Sequence, residues 1–169
     1  GMEGLARSGF EFYLGLLRRI DRFGTSGTSI YERDWDVLVV LDACRVDILR
    51  ELSNNYEFID KVGVHRSLGS CSPEWMDETF TEEYCEEVAE TTYVTGNPFS
   101  DRRLDLHAFD LVDEVWKHAW DKEKGTIPAR AVTDRAIATA RNRDPDRMIV
   151  HYMQPHFPSV PDPLSEGIS

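Results

Sequence analysis

The sequence predicts an α/β fold, a mostly parallel sheet flanked by helices, and three observations carry that expectation. Val37-Leu38-Val39-Val40-Leu41 and Met148-Ile149-Val150-His151-Tyr152-Met153 are short apolar runs without strict polar alternation, the pattern of strands covered on both faces. Helical patterning lies between them, most clearly from Pro128, well placed in a first turn, to about Arg143, before the Asp144-Pro145-Asp146 turn. Strands that alternate with helices pack as parallel neighbours joined by right-handed crossovers. A chain of 169 residues with 41% apolar content can bury the core of one such domain.

The elements follow in order. From about Leu5 to Arg22, Phe10, Tyr13, Leu14, Leu17 and Ile20 recur at helical spacing, and Arg18, Arg19 and Arg22 stand where the helix dipole favours cations. Such an amphipathic helix lies on a membrane surface or docks on its own domain, and docking is the commoner arrangement. Gly24-Thr25-Ser26-Gly27-Thr28-Ser29 is a flexible link, so residues 1–30 are read as an N-terminal helix and linker and 31–169 as the α/β domain. After the first strand come a helix from about Cys44 to Leu52 and a weaker strand candidate from Tyr56 to Val64. Pro73 opens a short helical turn to Met76, and Glu82 to Ala89 is helical. Thr91 to Thr95 is β-branched and aromatic, and Gly96-Asn97-Pro98 ends it. Phe109 to Trp120 has mixed spacing that leaves helix and strand open.

Charge narrows the partners. Nineteen basic residues against 31 acidic ones leave a formal net charge of -12, which argues against nucleic acid or an anionic membrane as the main partner. Only Lys61, Lys117, Lys122 and Lys124 are lysines, and an acidic, lysine-poor chain suits concentrated salt, where screening removes self-repulsion. A halophile's cytoplasm is therefore expected. Cys44, Cys71 and Cys85 form no C-x-x-C pair, so neither a disulfide framework nor a structural zinc site is indicated and a reducing compartment fits. No apolar run approaches membrane-spanning length, and the N-terminus lacks the pattern of a signal peptide.

Three polar clusters share one placement, each after a strand or at the start of a helix: Asp42-Ala43-Cys44-Arg45, Ser70-Cys71-Ser72-Pro73 and Pro155-His156-Phe157-Pro158. The carboxyl ends of parallel strands are where α/β sheets bind ligands, so Asp42 is a candidate metal ligand. A thiol or hydroxyl at a helix N-terminus has its anion favoured by the dipole and free N–H groups, which makes Cys71 and Ser72 candidate nucleophiles and Ser70 a candidate anion contact. Arg45 is a candidate for substrate binding. His156 would protonate a leaving group or bind an ester oxygen, since imidazole titrates near neutrality. Plainer roles stand beside these: Asp42 as a helix cap, Cys71 as an ordinary buried thiol, Ser72 as an N-cap, Arg45 paired with Asp47 or Glu32, and His156 stiffening a loop.

Taken together, these clusters resemble the sulfatase-like branch of the alkaline phosphatase and sulfatase superfamily, from about Asp36 onward. In that superfamily the first strand ends in a metal-binding Asp, the nucleophile opens a helix as C-x-P-x-R in sulfatases, and a later P-H-x-P supplies a histidine to the substrate. Asp42-Ala43-Cys44-Arg45-Val46-Asp47 is similar to its D-x-x-R-x-D variant, Cys71-Ser72-Pro73 matches the first three places of the nucleophile motif, and Pro155-His156-Phe157-Pro158 matches the histidine motif in full. Glu74-Trp75 replaces the small residue and the Arg that helps direct oxidation of the Cys, so formylglycine is not expected at Cys71. The family's remaining metal ligands come from an Asp-His-Gly type motif further on, and the sequence reaches Ser169 without one, so an alkaline phosphatase-like fold truncated before the second half of the metal site is expected.

The resemblance implies a metal-dependent hydrolase of sulfate or phosphate esters, using calcium, magnesium, manganese or zinc and a small anionic ester as substrate. It also allows a phosphotransferase acting on a glycan or lipid headgroup, and the missing ligands allow an inactive enzyme or a non-catalytic binding domain derived from the fold.

Overall fold

The computed structural model describes residues 27–156. The amphipathic stripe of residues 5–22, and Phe157, Pro158 and everything after them, lie outside the described residues. Four strands, β1 (Val37–Leu41), β2 (Thr91–Thr95), β3 (Leu111–Glu114) and β4 (Arg147–Tyr152), form one sheet in the order β1-β4-β2-β3 with every neighbouring pair parallel. The helices are α1 (Val46–Leu52), α2 (Ser72–Thr79), α3 (Cys85–Ala89), α4 (Ser100–Arg103), α5 (Trp116–Ala119) and α6 (Ala129–Arg143). The α/β class with a parallel sheet is thus what the alternating pattern dictated. No helix among the described residues is long and apolar enough to cross a membrane.

Side chains alternate across a strand, and that alternation divides the core into two layers. Val94 of β2 and Met148 and Val150 of β4 face α6, where Val132 and Ala136 meet them together with Val115 and Ile127. Tyr93 and Ile149 point the other way, into an aromatic layer built from Tyr31, Trp75, Phe80, Tyr84 and Phe109 with Val88 of α3. Arg135 pairs with Asp113 and Arg143 with Asp110, which fastens α6 along β3. The mixed spacing of Phe109 to Trp120 resolves into a strand followed by one helical turn, each contributing its own period.

Two expectations are corrected. Val37 to Leu41 is an edge strand, and only Leu38 and Val40 turn toward the aromatic layer; Val37 and Val39 are 52% and 53% exposed. An apolar run without alternation reads as doubly covered, but α6 packs over β4 and β2 and its layer does not extend to β1. Tyr56 to Val64 is turn and irregular structure, and no segment among the described residues pairs with it.

The acidic excess sets one expectation for the whole molecule. With 31 acidic groups against 19 basic ones, net repulsion outweighs surface ion pairs, which contribute little each. The melting temperature should rise from low salt to molar potassium chloride as the repulsion is screened. Differential scanning calorimetry across that range checks it, and a flat or falling trend would contradict adaptation to salt.

Candidate functional site

Because β1, β4 and β2 are adjacent and parallel, their carboxyl ends open side by side. The chain leaves β1 at Asp42, whose N–H bonds Tyr152 O on β4 at 3.2 Å. It leaves β2 through Gly96, whose N–H bonds His151 O on the other side of β4 at 2.8 Å. Asp42 and Asn97 are thereby held across the end of β4.

The half-buried Asp42 carboxylate is the meeting point. Its Oδ2 accepts a hydrogen bond from Ser72 Oγ at 2.8 Å and from Asn97 Nδ2 at 3.1 Å, drawing on segments 30 and 55 residues away. Asn97 is fully buried and cannot swing: its Oδ1 accepts from the Phe99 N–H at 3.0 Å and its own N–H donates to Thr95 Oγ1 at 3.0 Å. Asp42 does not cap the following helix, since the N-cap of α1 is Arg45 without a side-chain cap bond.

Ser72 is the first residue of α2, and the helix begins properly there, with the Trp75 N–H on Cys71 O at 2.8 Å. Cys71 occupies the N-cap with extended backbone, exposed and without a capping bond from its side chain. Ser70 gives both its N–H and its hydroxyl to Glu74 Oε2, at 2.7 and 2.6 Å. A carboxylate therefore already sits where Ser70 was expected to meet an anion. Glycine is required at position 69, where a Cβ would lie 2.2 Å from the Trp75 backbone nitrogen.

The other candidates stand apart from this contact. Arg45 is at the surface, and its guanidinium is bound to Asp47 through Nε at 3.0 Å and Nη2 at 2.5 Å. That bond holds Arg45 above and Asp47 below their ordinary pKa ranges. His156 is exposed in the bend after β4, with its N–H on Met153 O at 2.9 Å, and Gln154 ties the same bend to Ile127 O at 2.8 Å. It shares the sheet edge with Asp42. The structure thus joins Asp42 to Ser72, adds Asn97, and leaves Cys71 and His156 exposed near the same edge.

Beneath the carboxylate lies a buried polar pair. Tyr93 Oη and His151 Nδ1 are 2.6 Å apart, both side chains are fully buried, and the Trp75 ring meets the imidazole edge to face at 5.5 Å. Burial lowers the His151 pKa to about 4, with the Asp42 charge opposing the shift. Burial also pushes the Tyr93 phenol far above its usual range, against a hydrogen bond with Thr95. At neutral pH the site floor is therefore uncharged, and Asp42 is the charge nearest to it.

A resident hard cation takes about six oxygen ligands. Among the described residues no group of three or more His, Cys, Asp or Glu side chains could hold a metal, and Asp42 Oδ2 is already shared by two donors. The donor set among the described residues does not fit a resident metal.

Compared with family models, with curated proteins and with solved structures, the chain matches none. The reading of the site rests on its geometry. Asn97 carries a weaker form of the signal that singles out Asp42: it is a polar residue two places past a β-branched strand, in a Gly96-Asn97-Pro98 turn that local pattern reads only as a strand end. Glu74 is a consequence of helix register, which motif spacing does not express.

Proposed function

We propose that the domain transfers phosphoryl or sulfuryl groups from small esters to water through the hydroxyl of Ser72, as a divergent member of the alkaline phosphatase-like class. The observation that carries this is the Ser72–Asp42 hydrogen bond, which puts a hydroxyl at a helix start against a carboxylate at the carboxyl edge of a parallel sheet. In the first half-reaction Ser72 Oγ attacks phosphorus or sulfur in line, the bond to the leaving oxygen breaks, and the hydroxyl proton passes to Asp42. A loose transition state asks little deprotonation of the nucleophile, so a hydrogen-bonded carboxylate suffices as acceptor. His156 gives its proton to the leaving alkoxide. Water then cleaves the seryl ester: His156, now neutral, takes the proton from that water, the seryl oxygen leaves, and Asp42 returns its proton to Ser72.

A second reading, a non-catalytic binding domain of the same descent, draws on Glu74, whose carboxylate occupies Ser70. Trapping separates the two. The full chain is incubated with 4-nitrophenyl phosphate or 4-nitrophenyl sulfate and, in turn, manganese, zinc, magnesium and calcium, quenched in acid and analysed by peptide mass spectrometry. One phosphoryl or sulfuryl group on Ser72 is expected, absent in Ser72→Ala and retained in Cys71→Ala. An adduct on Cys71 overturns the serine assignment, and no adduct with no turnover under every metal overturns the enzyme.

A further inference from the structure

Nine of the twelve large apolar side chains exposed among the described residues lie between Val37 and Val64. Val37, Val39 and Leu41 form the outward face of β1, and Ile48 and Leu52 follow on α1. Parallel sheets are covered on both faces, and the helix layer that covers β4 and β2 stops short of β1. Its nearest helix, α6, leaves Ile137 45% exposed. An apolar surface of this extent marks an interface.

The described chain begins near the end of this apolar stretch, just past Val64. The Thr28 N–H bonds Arg66 O at 3.0 Å, and a Cβ on Gly27 would lie 2.3 Å from Ser67 O, so residue 27 is pressed against backbone two to three residues past the 67%-exposed Val64. Gly27 lies five positions after Arg22, a reach of about 17 Å. A helix over residues 5–22 would be about 27 Å long, longer than the roughly 17 Å of the five-residue β1. Its apolar residues, Phe10, Tyr13, Leu14, Leu17 and Ile20, are of the type the surface lacks a partner for.

We propose that residues 5–22 dock on the exposed apolar surface of β1 and α1, covering the sheet edge that carries Asp42. The docking is intramolecular, and the chain's acidic excess, a formal net charge of -12, favours the arginines at 18, 19 and 22 against the domain.

Thiol labelling tests it on the full chain with the three native cysteines replaced by serine. Val39→Cys and Ile48→Cys, each introduced singly, should react at least tenfold more slowly than in the same chain carrying Leu14→Asp and Leu17→Asp, with circular dichroism showing both folded. Leu14→Met with Leu17→Met should keep the protection, which separates loss of docking from loss of fold. Equal, fast labelling with and without the aspartates overturns the proposal. Protection that grows with protein concentration would make a second copy the occupant, and protection seen only with anionic phosphatidylglycerol vesicles would make it a membrane surface; either result also overturns it.

Discussion

Lowering the pH from 7 to 4 is expected to remove about 3 kcal/mol of folding stability through His151 alone. Its imidazole is buried under Trp75 against Tyr93, which lowers its pKa to about 4 in the folded domain; in the unfolded chain it returns to about 6.5. Below pH 6.5 the unfolded chain therefore binds a proton that the folded domain excludes. The contribution is complete above 6.5 and is lost as the pH falls toward 4. Urea denaturation at a series of pH values measures the slope, and His151→Gln, which cannot titrate, should flatten it between 6.5 and 4. An unchanged slope in that variant would assign the acid sensitivity to the carboxylates instead.

Gly69→Ala is expected to cost roughly 3 kcal/mol, the upper range for overpacking, and to disturb the Ser72–Asp42 contact as well. The new Cβ would lie 2.2 and 2.6 Å from the nitrogen and Cα of Trp75 and 2.7 Å from the carbonyl carbon of Glu74. These are backbone atoms of the first turn of α2, so no side-chain rotation relieves the clash and the turn bearing Ser72 must move. Trp75 would move with it, away from His151. Gly63→Ala is the control, since nothing lies within 4 Å of the Cβ it would add. Denaturation curves for the two variants that coincide would show that the turn yields at no cost.

The strands and the parallel class were legible because β-branched runs bounded by turn residues carry their own local signal, and Thr91 to Thr95 forms a strand with those bounds. Which strand lies at the edge was not legible. Val37 to Leu41 is the more apolar run and Met148 to Tyr152 is interrupted by His151, yet the spatial order leaves the first exposed on one face while enclosing the second. At the site, Asp42 and Ser72 were readable from their positions after a strand and at a helix start. Their bond to each other, and the third partner Asn97, depend on packing across 30 and 55 residues, which no local pattern encodes. Arg45 illustrates the opposite case, a charge beside a motif whose partner is its near neighbour Asp47.

The strand order also governs when this site can exist during synthesis. Among the described strands β1 pairs only with β4, and the register joins Val37 to Met148 and Leu41 to Tyr152, more than a hundred residues later. Until that last strand leaves the ribosome, Val37 to Leu41 has no ladder to join, and Asp42 and Asn97 have nothing between them to set their distance. Loop-closure entropy makes such long-range parallel pairing slow. The nascent chain therefore carries a bare, β-branched strand until β4 has been made, a natural target for chaperone capture, and gains its polar cluster only once that pairing forms.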